Sequence, residues 1–333
     1  MRNCWIEFAA KDSAVYRTAE QDLALPAQHA LIRTRLSVIS PGTELALLHE
    51  EVLPRPHLQD KPRHYPAQPG YAAVGEVVES ANHGMVKPGD RIFASLGHQL
   101  HGVVNLAQRN RWCRVPEGMA DETAGLAALA RIALSAPLAI DARYGHRVLV
   151  IGLGIVGYLA AQWFRNSCAL TVEACDKDEL RARFASERGI PSFPSAELDA
   201  RAASAPYDIV VEATGAPSVI ETAFRCVREG GGVVLLGTGR GKLHEFDMTN
   251  AIHRNLVTVV SAHTNRHDRA VVVGPPPPVA DPLALAMDYL ASGRLRCDRL
   301  VGKLCDPREP AEAYAALDRR EYFTVAFDWR KAW

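Results

Sequence analysis

Residues 147–157, with the sequence RVLVIGLGIVG, run from an apolar stretch directly into a glycine loop. A strand followed by Gly-x-Gly-x-x-Gly and a helix is typical of dinucleotide sites. Gly152 would make the tight turn, Gly154 would let the backbone approach a pyrophosphate, and Gly157 would let the helix pack close to the strand. That helix is expected over residues 158–165. Its first N–H groups have no helical partner and would point at the phosphates. The sequence therefore predicts a dinucleotide cofactor.

Asp176 ends the next β-like run, 19 residues beyond Gly157. A carboxylate at this position accepts hydrogen bonds from the hydroxyl groups of the adenosine ribose. It would also repel the 2′-phosphate of NADP, so it favours NAD. Arg181 and Arg183 follow shortly afterwards and leave NADP open, because an arginine is the side chain that accommodates this phosphate.

The ends of four β-like runs supply the residues that we expect to hold the cofactor. These runs lie before residues 152, 176, 213 and 237. The predicted cofactor residues are Gly152, Leu153, Gly154, Ile155, Val156, Gly157, Asp176, Lys177, Ala213, Thr214, Gly237 and Thr238.

Length and composition narrow the class of protein. A chain of 333 residues exceeds what one hydrophobic core usually organises, so two domains are expected. The 38 basic and 38 acidic residues balance, so we expect neither nucleic acid nor anionic lipid as a partner. Because a signal peptide and an apolar run near 18 residues are both missing, the sequence predicts a cytoplasmic protein without a membrane partner. The seven scattered cysteines are expected to be free thiols.

The pattern of predicted elements changes along the chain. Residues 5–115 contain short β-like runs between turn residues, which indicates a mostly antiparallel β domain. From Arg147 strand-like and helix-like segments alternate, which is the pattern of an α/β fold with a doubly wound parallel sheet. The proline run 275–278 is interpreted as an extended connector.

Four further motifs identify a family resemblance. They are ISPGTE at 39–44, PGYAAVGEVV at 69–78, KPGDRI at 87–92 and VEATG at 211–215. Together with the glycine loop, and in this order, they make nearly the whole chain resemble the medium-chain dehydrogenase/reductases of the alcohol dehydrogenase superfamily.

The resemblance implies a particular architecture. A β-rich GroES-like catalytic domain would comprise residues 1–125 and 295–333, and a Rossmann domain would comprise 126–294. The cofactor would lie in the cleft between the two domains, and a small-molecule substrate would bind beside it. A homodimer formed through the edge of the Rossmann sheet, near residues 271–273, is expected from relatives.

The zinc ligands of this family have no equivalents here. Aligned without gaps, the three positions that bind the catalytic zinc become Pro41, Tyr71 and approximately Ala127, none of which provides a zinc ligand. The four closely spaced cysteines of the structural zinc lobe are also missing, so no metal is predicted. A His-x-x-His pair at His98 and His101 is the one alternative metal site. The Ser-x-Gly-Thr-Glu and Pro-Gly-Tyr motifs resemble a zinc-lacking branch that includes bacteriochlorophyllide hydroxyethyl dehydrogenases.

Without zinc, a side chain must handle the proton of the substrate hydroxyl. Tyr71 stands where the zinc histidine would be, and its phenol could donate to a carbonyl or accept an alcohol proton; packing against the cleft wall is the alternative. Thr43 corresponds to the hydroxyl residue that relays protons in the zinc enzymes, or it is a turn residue. Glu44 could receive a relayed proton, or form a structural pair with an arginine.

Two more side chains are catalytic candidates. Arg131 is the one charge in an apolar helix-like stretch, so we expect it to clamp a substrate carboxylate or phosphate, or to pair with a carboxylate such as Glu44. Histidine is a common acid–base group, and His98 could border the cleft, as could His101 and His263, although a structural role is the alternative for each of them.

These residues predict an NAD-dependent, zinc-independent enzyme that interconverts a secondary alcohol and a ketone on a polar metabolite. The alternatives are a quinone or enoyl reductase, an epimerase or lyase with tightly bound NAD, and a relative that binds nucleotide but has lost catalysis.

Overall fold

The computed structural model describes residues 1–51, 65–167, 171–243, 245–263 and 281–333. Contacts divide the chain into a first unit of Met1–Ala128, Asp281–Gly293 and Cys297–Trp333, and a second unit of Leu129–Ala280 and Arg294–Arg296. Segment 281–293 thus groups with the first unit. The division into domains that was inferred from the sequence, at residues 125/126 and 294/295, stays a prediction. The expected connector 275–278 and dimer segment 271–273 lie outside the described residues.

The elements are numbered in chain order. The strands are β1 (Arg2–Ala10), β2 (Ser13–Glu20), β3 (His29–Val38), β4 (Ala73–Ser80), β5 (Arg91–Ala94), β6 (His101–Asn105), β7 (Trp112–Arg114), β8 (Arg147–Ile151), β9 (Thr171–Asp176), β10 (Ser192–Pro194), β11 (Tyr207–Glu212), β12 (Val227–Leu235), β13 (Thr258–Ser261), β14 (Val301–Cys305) and β15 (Thr324–Asp328). The α-helices are α1 (Pro41–Leu48), α2 (Asp121–Gly125), α3 (Ala127–Ala139), α4 (Ile155–Ser167), α5 (Glu179–Glu187), α6 (Leu198–Ser204), α7 (Pro217–Cys226), α8 (Pro282–Ala291) and α9 (Pro310–Asp318).

The first unit is built on a mostly antiparallel sheet, as its short alternating runs predicted. Its strand order is β14-β15-β3-β4-β5-β7, and β6 also pairs with β3. Along β3, Ile32 and Leu36 are buried whereas Arg33 and Arg35 are partly exposed, because successive side chains of a strand point to opposite faces. The hairpin β1–β2 and helix α9 share an apolar core with β15 that includes Phe8.

The second unit contains a six-stranded parallel sheet in the order β10-β9-β8-β11-β12-β13. The chain moves outward from β8 to β10, and then starts again on the other side of β8 with β11. This reversal is the topological switch point, where α/β sheets bind ligands at the carboxyl ends of their strands. The predicted α/β fold is confirmed.

Two sequence predictions concern membrane-spanning segments and the cysteine thiols. Among the described helices, none is both long and apolar enough to span a membrane. The six described cysteines are free, and four of them are buried.

A buried hydrogen bond joins the first helix to the last one. Tyr314 of α9 donates its hydroxyl to Oε2 of Glu44 on α1 over 2.7 Å, and both residues are only 1% exposed. Burial, together with the neighbouring Glu44, raises the pKa of Tyr314 well above its usual value, so the phenol keeps its proton. The bond spans 270 residues of sequence and therefore depends on the tertiary fold.

We expect Tyr314→Phe to lower the free energy of unfolding by about 1.5–3 kcal/mol, because the variant removes one hydrogen bond to a buried carboxylate. Urea unfolding followed by tryptophan fluorescence measures this change. Tyr144→Phe is the matched control, since Tyr144 is 81% exposed. A loss below about 0.5 kcal/mol, which is the range of ordinary surface substitutions, would contradict the stabilising role of this bond.

Candidate functional site

Close backbone packing shapes the glycine loop of the second unit. Gly152 has a φ of +100°, and a Cβ there would lie 2.5 Å from the Cγ2 of Thr214. A Cβ on Gly157 would collide with the carbonyl oxygen of Gly152. Next to Gly154, by contrast, the nearest atom to an added Cβ is Nη1 of Arg181 at 3.8 Å. The loop is thus packed tightly at its ends and open in the middle, as the cradle of a pyrophosphate must be.

Helix α4 follows the loop without an intervening segment. It begins at Ile155, whereas the sequence places its start at Tyr158. The N–H of Tyr158 donates to the carbonyl oxygen of Gly154, which closes the first turn. The contact of Gly157 with Gly152 outweighs the low helix propensity of glycine. The N–H groups of the first turn are therefore placed at the loop.

Asp176 lies at the carboxyl end of β9 and holds the glycine loop. Its Oδ2 accepts a hydrogen bond of 2.6 Å from the N–H of Leu153, and its Oδ1 accepts one of 2.9 Å from the N–H of Asp178. A carboxylate can accept about four hydrogen bonds, so capacity remains for ribose hydroxyl groups. Lys177, the next predicted residue, is exposed.

Glu212 is a site residue that the sequence interpretation did not assign. It is 0% exposed at the end of β11, and its carboxylate accepts hydrogen bonds from the N–H and hydroxyl of Thr214 and from the N–H of Gly215. Burial raises the pKa of Glu212, although these hydrogen bonds oppose the shift. The carboxylate thereby fixes the loop after β11. Its sequence signal was an acidic residue directly after the apolar run 209–211.

The structure brings the predicted cofactor residues of three strands together at one edge of the sheet. The N–H of Ala213 donates to the carbonyl of Ile151, and the N–H of Gly237 donates to the carbonyl of Glu212. A Cβ on Gly237 would collide with the N of Gly215. Around these contacts Ile155 is buried, Val156 is partly exposed, and Thr238 is exposed.

In the first unit, Tyr71 lies between two hydroxyl groups. Its phenol donates to Oγ of Ser40 over 2.5 Å, and Oγ1 of Thr43 lies 3.4 Å from the phenolic oxygen. Thr43 is exposed, Tyr71 is partly exposed and Ser40 is buried. The three oxygens therefore form a graded path from solvent to the interior.

Ser40 was not among the predicted site residues, and helix α1 explains its role. The turn expected at Gly42 is instead the first turn of α1, with Ser40 as its N-cap and Pro41 at the first helical position. The Ser40 hydroxyl makes no capping hydrogen bond. Oε1 of Glu44 accepts the N–H of Ser40 over 2.8 Å, in the manner of a capping box. The hydroxyl is thus left for Tyr71.

Glu44 and His98 form a buried pair, which corrects two expectations. Nε2 of His98 lies 2.9 Å from Oε2 of Glu44, and Nδ1 lies 2.7 Å from Oγ of Ser37. Glu44 therefore pairs with a histidine and with Tyr314, where the sequence suggested an arginine. His98 is 0% exposed and cannot touch a substrate. It acts through its neighbours.

His98 supports the loop that presents Tyr71. Its N–H donates to the carbonyl of Pro69, and Gly70, at φ +95°, lies against the imidazole so closely that a Cβ would come within 2.8 Å of Cδ2. Only glycine tolerates this conformation and this approach. The buried pair therefore positions Tyr71 in two ways. His98 supports the loop before Tyr71, and Glu44 fixes Ser40, which accepts the hydrogen bond of the phenol.

Arg131, His101 and His263 are the remaining candidates from the sequence. Arg131 is partly buried in α3 and belongs to the second unit, and Glu44 has its partners within the first unit. His101 begins β6 and is partly buried, while His263 follows β13 and is exposed.

The donor set does not fit a zinc ion. Pro41 starts α1, Tyr71 bonds to Ser40, and Ala127 is completely buried. Both ring nitrogens of His98 are engaged, so a shared ion with His101 would break the pair with Glu44. Within the described part of the chain, no group of three His, Cys, Asp or Glu residues is arranged to hold a metal.

Comparisons with known proteins agree with this fold. The family described as zinc-binding dehydrogenase matches residues 156–273. A 2-desacetyl-2-hydroxyethyl bacteriochlorophyllide A dehydrogenase from Rhodobacter capsulatus is 26% identical over 308 residues, which cover 89% of this chain and 88% of that protein.

Two solved structures show the same fold. A zinc-binding dehydrogenase from Sinorhizobium meliloti 1021 bound to NADP superposes with a TM-score of 0.79 at 19% identity, over 98% of this chain and 99% of that one. An alcohol dehydrogenase from Escherichia coli CFT073 in complex with NADH gives a TM-score of 0.78 at 16% identity, over the same shares. The chain belongs to the medium-chain dehydrogenase/reductase superfamily and is an oxidoreductase of the dehydrogenase type.

Proposed function

We propose that this enzyme interconverts a secondary alcohol and a ketone by hydride transfer with NAD(H), and that Tyr71 replaces the zinc ion of its relatives. The observation that carries the proposal is the 2.5 Å hydrogen bond from Tyr71 to buried Ser40, at the position where the family places a zinc histidine. The relative named for a hydroxyethyl substrate supports a secondary alcohol.

The glycine loop and Asp176 would hold the cofactor, which when bound accepts or donates the hydride. The phenol of Tyr71 carries a hydroxyl proton that it can donate. In ketone reduction, the phenol donates its proton to the carbonyl oxygen as negative charge develops there. Thr43, the exposed neighbour, returns a proton from solvent. In alcohol oxidation the same proton moves in the opposite direction.

Ser40 keeps the phenol in place during this transfer. Its oxygen accepts from Tyr71 when no substrate competes, and its own position is set by Glu44 through the backbone N–H. The side chains of Glu44 and His98 do not transfer the proton in this proposal. Their hydrogen bonds in the described part of the chain go to Ser37, Ser40, Tyr314 and each other.

NAD is proposed as the preferred cofactor because the carboxylate of Asp176 is anchored at the end of β9. Arg181 approaches the same loop, but its guanidinium also lies 3.7 Å from the carboxylate of Asp178. The negative charge of Asp178 partly offsets the attraction of Arg181 for a 2′-phosphate. A homodimer and a cytoplasmic location also remain proposals. Strand β13 supports the first, since it ends the described sheet and exposes Val259.

Tyr71→Phe should lower kcat by about 10²-fold or more, the usual contribution of a positioned general acid, because only the phenolic hydroxyl is removed. The dissociation constant for NADH should stay unchanged, since Tyr71 is not part of the glycine loop. Steady-state and single-turnover kinetics with a ketone reduced by the wild type measure this split, and Tyr144→Phe is the control. An unchanged chemical step would exclude Tyr71 from the mechanism.

Asp176→Asn should narrow the preference for NADH over NADPH by roughly 10-fold or more, because it removes a negative charge beside the 2′-phosphate while retaining an acceptor for Leu153. Fluorescence titration with both reduced cofactors gives the ratio of dissociation constants. Asp199→Asn, the control, removes the same charge from an exposed position on α6 and should leave the ratio nearly unchanged. Tighter binding of NADPH by the wild type would overturn the proposed role of Asp176.

Metal analysis of the purified enzyme should find no stoichiometric zinc, because the donor set does not fit the ion. Plasma mass spectrometry gives the content, and a zinc-dependent alcohol dehydrogenase carried through the same purification is the positive control. One equivalent of zinc that survives dialysis against a chelator, together with loss of activity on its removal, would refute the zinc-independent mechanism.

A further inference from the structure

A cavity of about 610 Å³ opens within the first unit, apart from the two groups of residues described above. It lies among β1, β2, β3 and the residues after β15. Its walls include the side chains of Arg2, Arg33, His101, Arg308, Lys331 and Trp333. None of these residues belongs to the glycine loop or to the cluster around Tyr71. The volume is within the range of small-molecule sites.

The cavity walls have an excess of positive charge. Arg33 and Arg308 are each paired with one carboxylate, Glu76 at 3.3 Å and Asp306 at 3.0 Å. Arg2 and Lys331 form no ion pair with a carboxylate of the described residues. At least two uncompensated cations therefore face one cavity in a protein whose formal net charge is zero.

Two residues of the wall each have a buried nitrogen atom without a hydrogen-bond partner among the described residues. Nε of Arg33 and Nδ1 of His101 are shielded from solvent and make no hydrogen bond within the described parts of the chain. Burial lowers the pKa of His101, and the nearby positive charges of Arg33 and the N-terminus lower it further. The attraction for an anion with charged oxygens comes from the cations of the wall, above all from Arg2 and Lys331, which have no ion pair among the described residues.

Aromatic surfaces define the rest of the cavity. The guanidinium of Arg33 lies 4.1 Å from the ring centroid of Trp333, in a cation–π contact that favours this position of the planar guanidinium. The indole of Trp333 is half exposed, and Tyr16 also contributes to the wall. A ligand with a flat or apolar part could pack against these rings while its charged groups meet the cations.

We propose that this cavity binds a multivalent organic anion, with phosphate or carboxylate groups, at an accessory site separate from the dehydrogenase chemistry. The guanidinium and ammonium groups recognise the charged oxygens, and the rings of Trp333 and Tyr16 recognise the remainder. Both phosphates and carboxylates match the guanidinium fork, so the test includes one probe of each kind. The proposal does not depend on the proposed reaction.

The test is calorimetric titration of the full protein with inorganic pyrophosphate and with citrate, at constant ionic strength. We expect saturable binding of at least one probe and a dissociation constant raised roughly tenfold or more in the double variant Arg2→Gln/Lys331→Gln. Both side chains lack ion pairs, so the variant should fold, and thermal unfolding checks this. Arg319→Gln is the matched control, because it removes an exposed cation of the same unit outside the cavity.

A second measurement locates the bound anion. Quenching of tryptophan fluorescence by the probe should disappear in Trp333→Phe but persist in Arg319→Gln. Binding of citrate but not pyrophosphate would assign the site to carboxylates, and the reverse would assign it to phosphates. Absence of binding by both probes would overturn the proposal. Equal affinity of the double variant and the wild type for the probes would also overturn it. If this equality were found for pyrophosphate, it would place that anion at the glycine loop.

Discussion

The buried carboxylate of Glu44 is the interaction on which the first unit depends. It accepts hydrogen bonds from the backbone of Ser40, from His98 and from Tyr314, and so joins the start of α1, the loop before β6 and helix α9. A buried carboxylate without such partners would be strongly unfavourable. Because all three donors must be in place, the carboxylate determines where the Ser40 hydroxyl and the Gly70–Tyr71 loop lie.

In the second unit, close contact between backbones has the corresponding role. Gly152, Gly157 and Gly237 occupy positions where a Cβ would meet a neighbouring loop. Two carboxylates, Asp176 and Glu212, then hold these loops through backbone N–H groups. Asp176, for which we propose a role in NAD preference, is therefore also a structural support. This double role is the reason to test Asp176 with asparagine, which retains an acceptor.

Replacement of a metal by a phenol changes what a dehydrogenase requires of its surroundings. A zinc ion stabilises developing negative charge directly, whereas a tyrosine must be held in one orientation and resupplied with protons. In the proposed mechanism the buried pair beneath Gly70 would provide the orientation, and exposed Thr43 would provide contact with solvent. The residues proposed for positioning are buried, whereas those proposed for proton transfer are partly or fully exposed.

Local patterns in the sequence were sufficient for the α/β fold and for the glycine loop between a strand and a helix, because strand alternation and glycine conformation are properties of short segments. The family resemblance also named Tyr71 and Glu44 as catalytic candidates, and their roles stay predictions. The sequence did not reveal Ser40, Glu212 or the burial of His98, and it placed α4 three residues late. These features depend on partners up to 270 residues away, such as Glu44 and Tyr314, and only the packed chain brings such groups within hydrogen-bond distance.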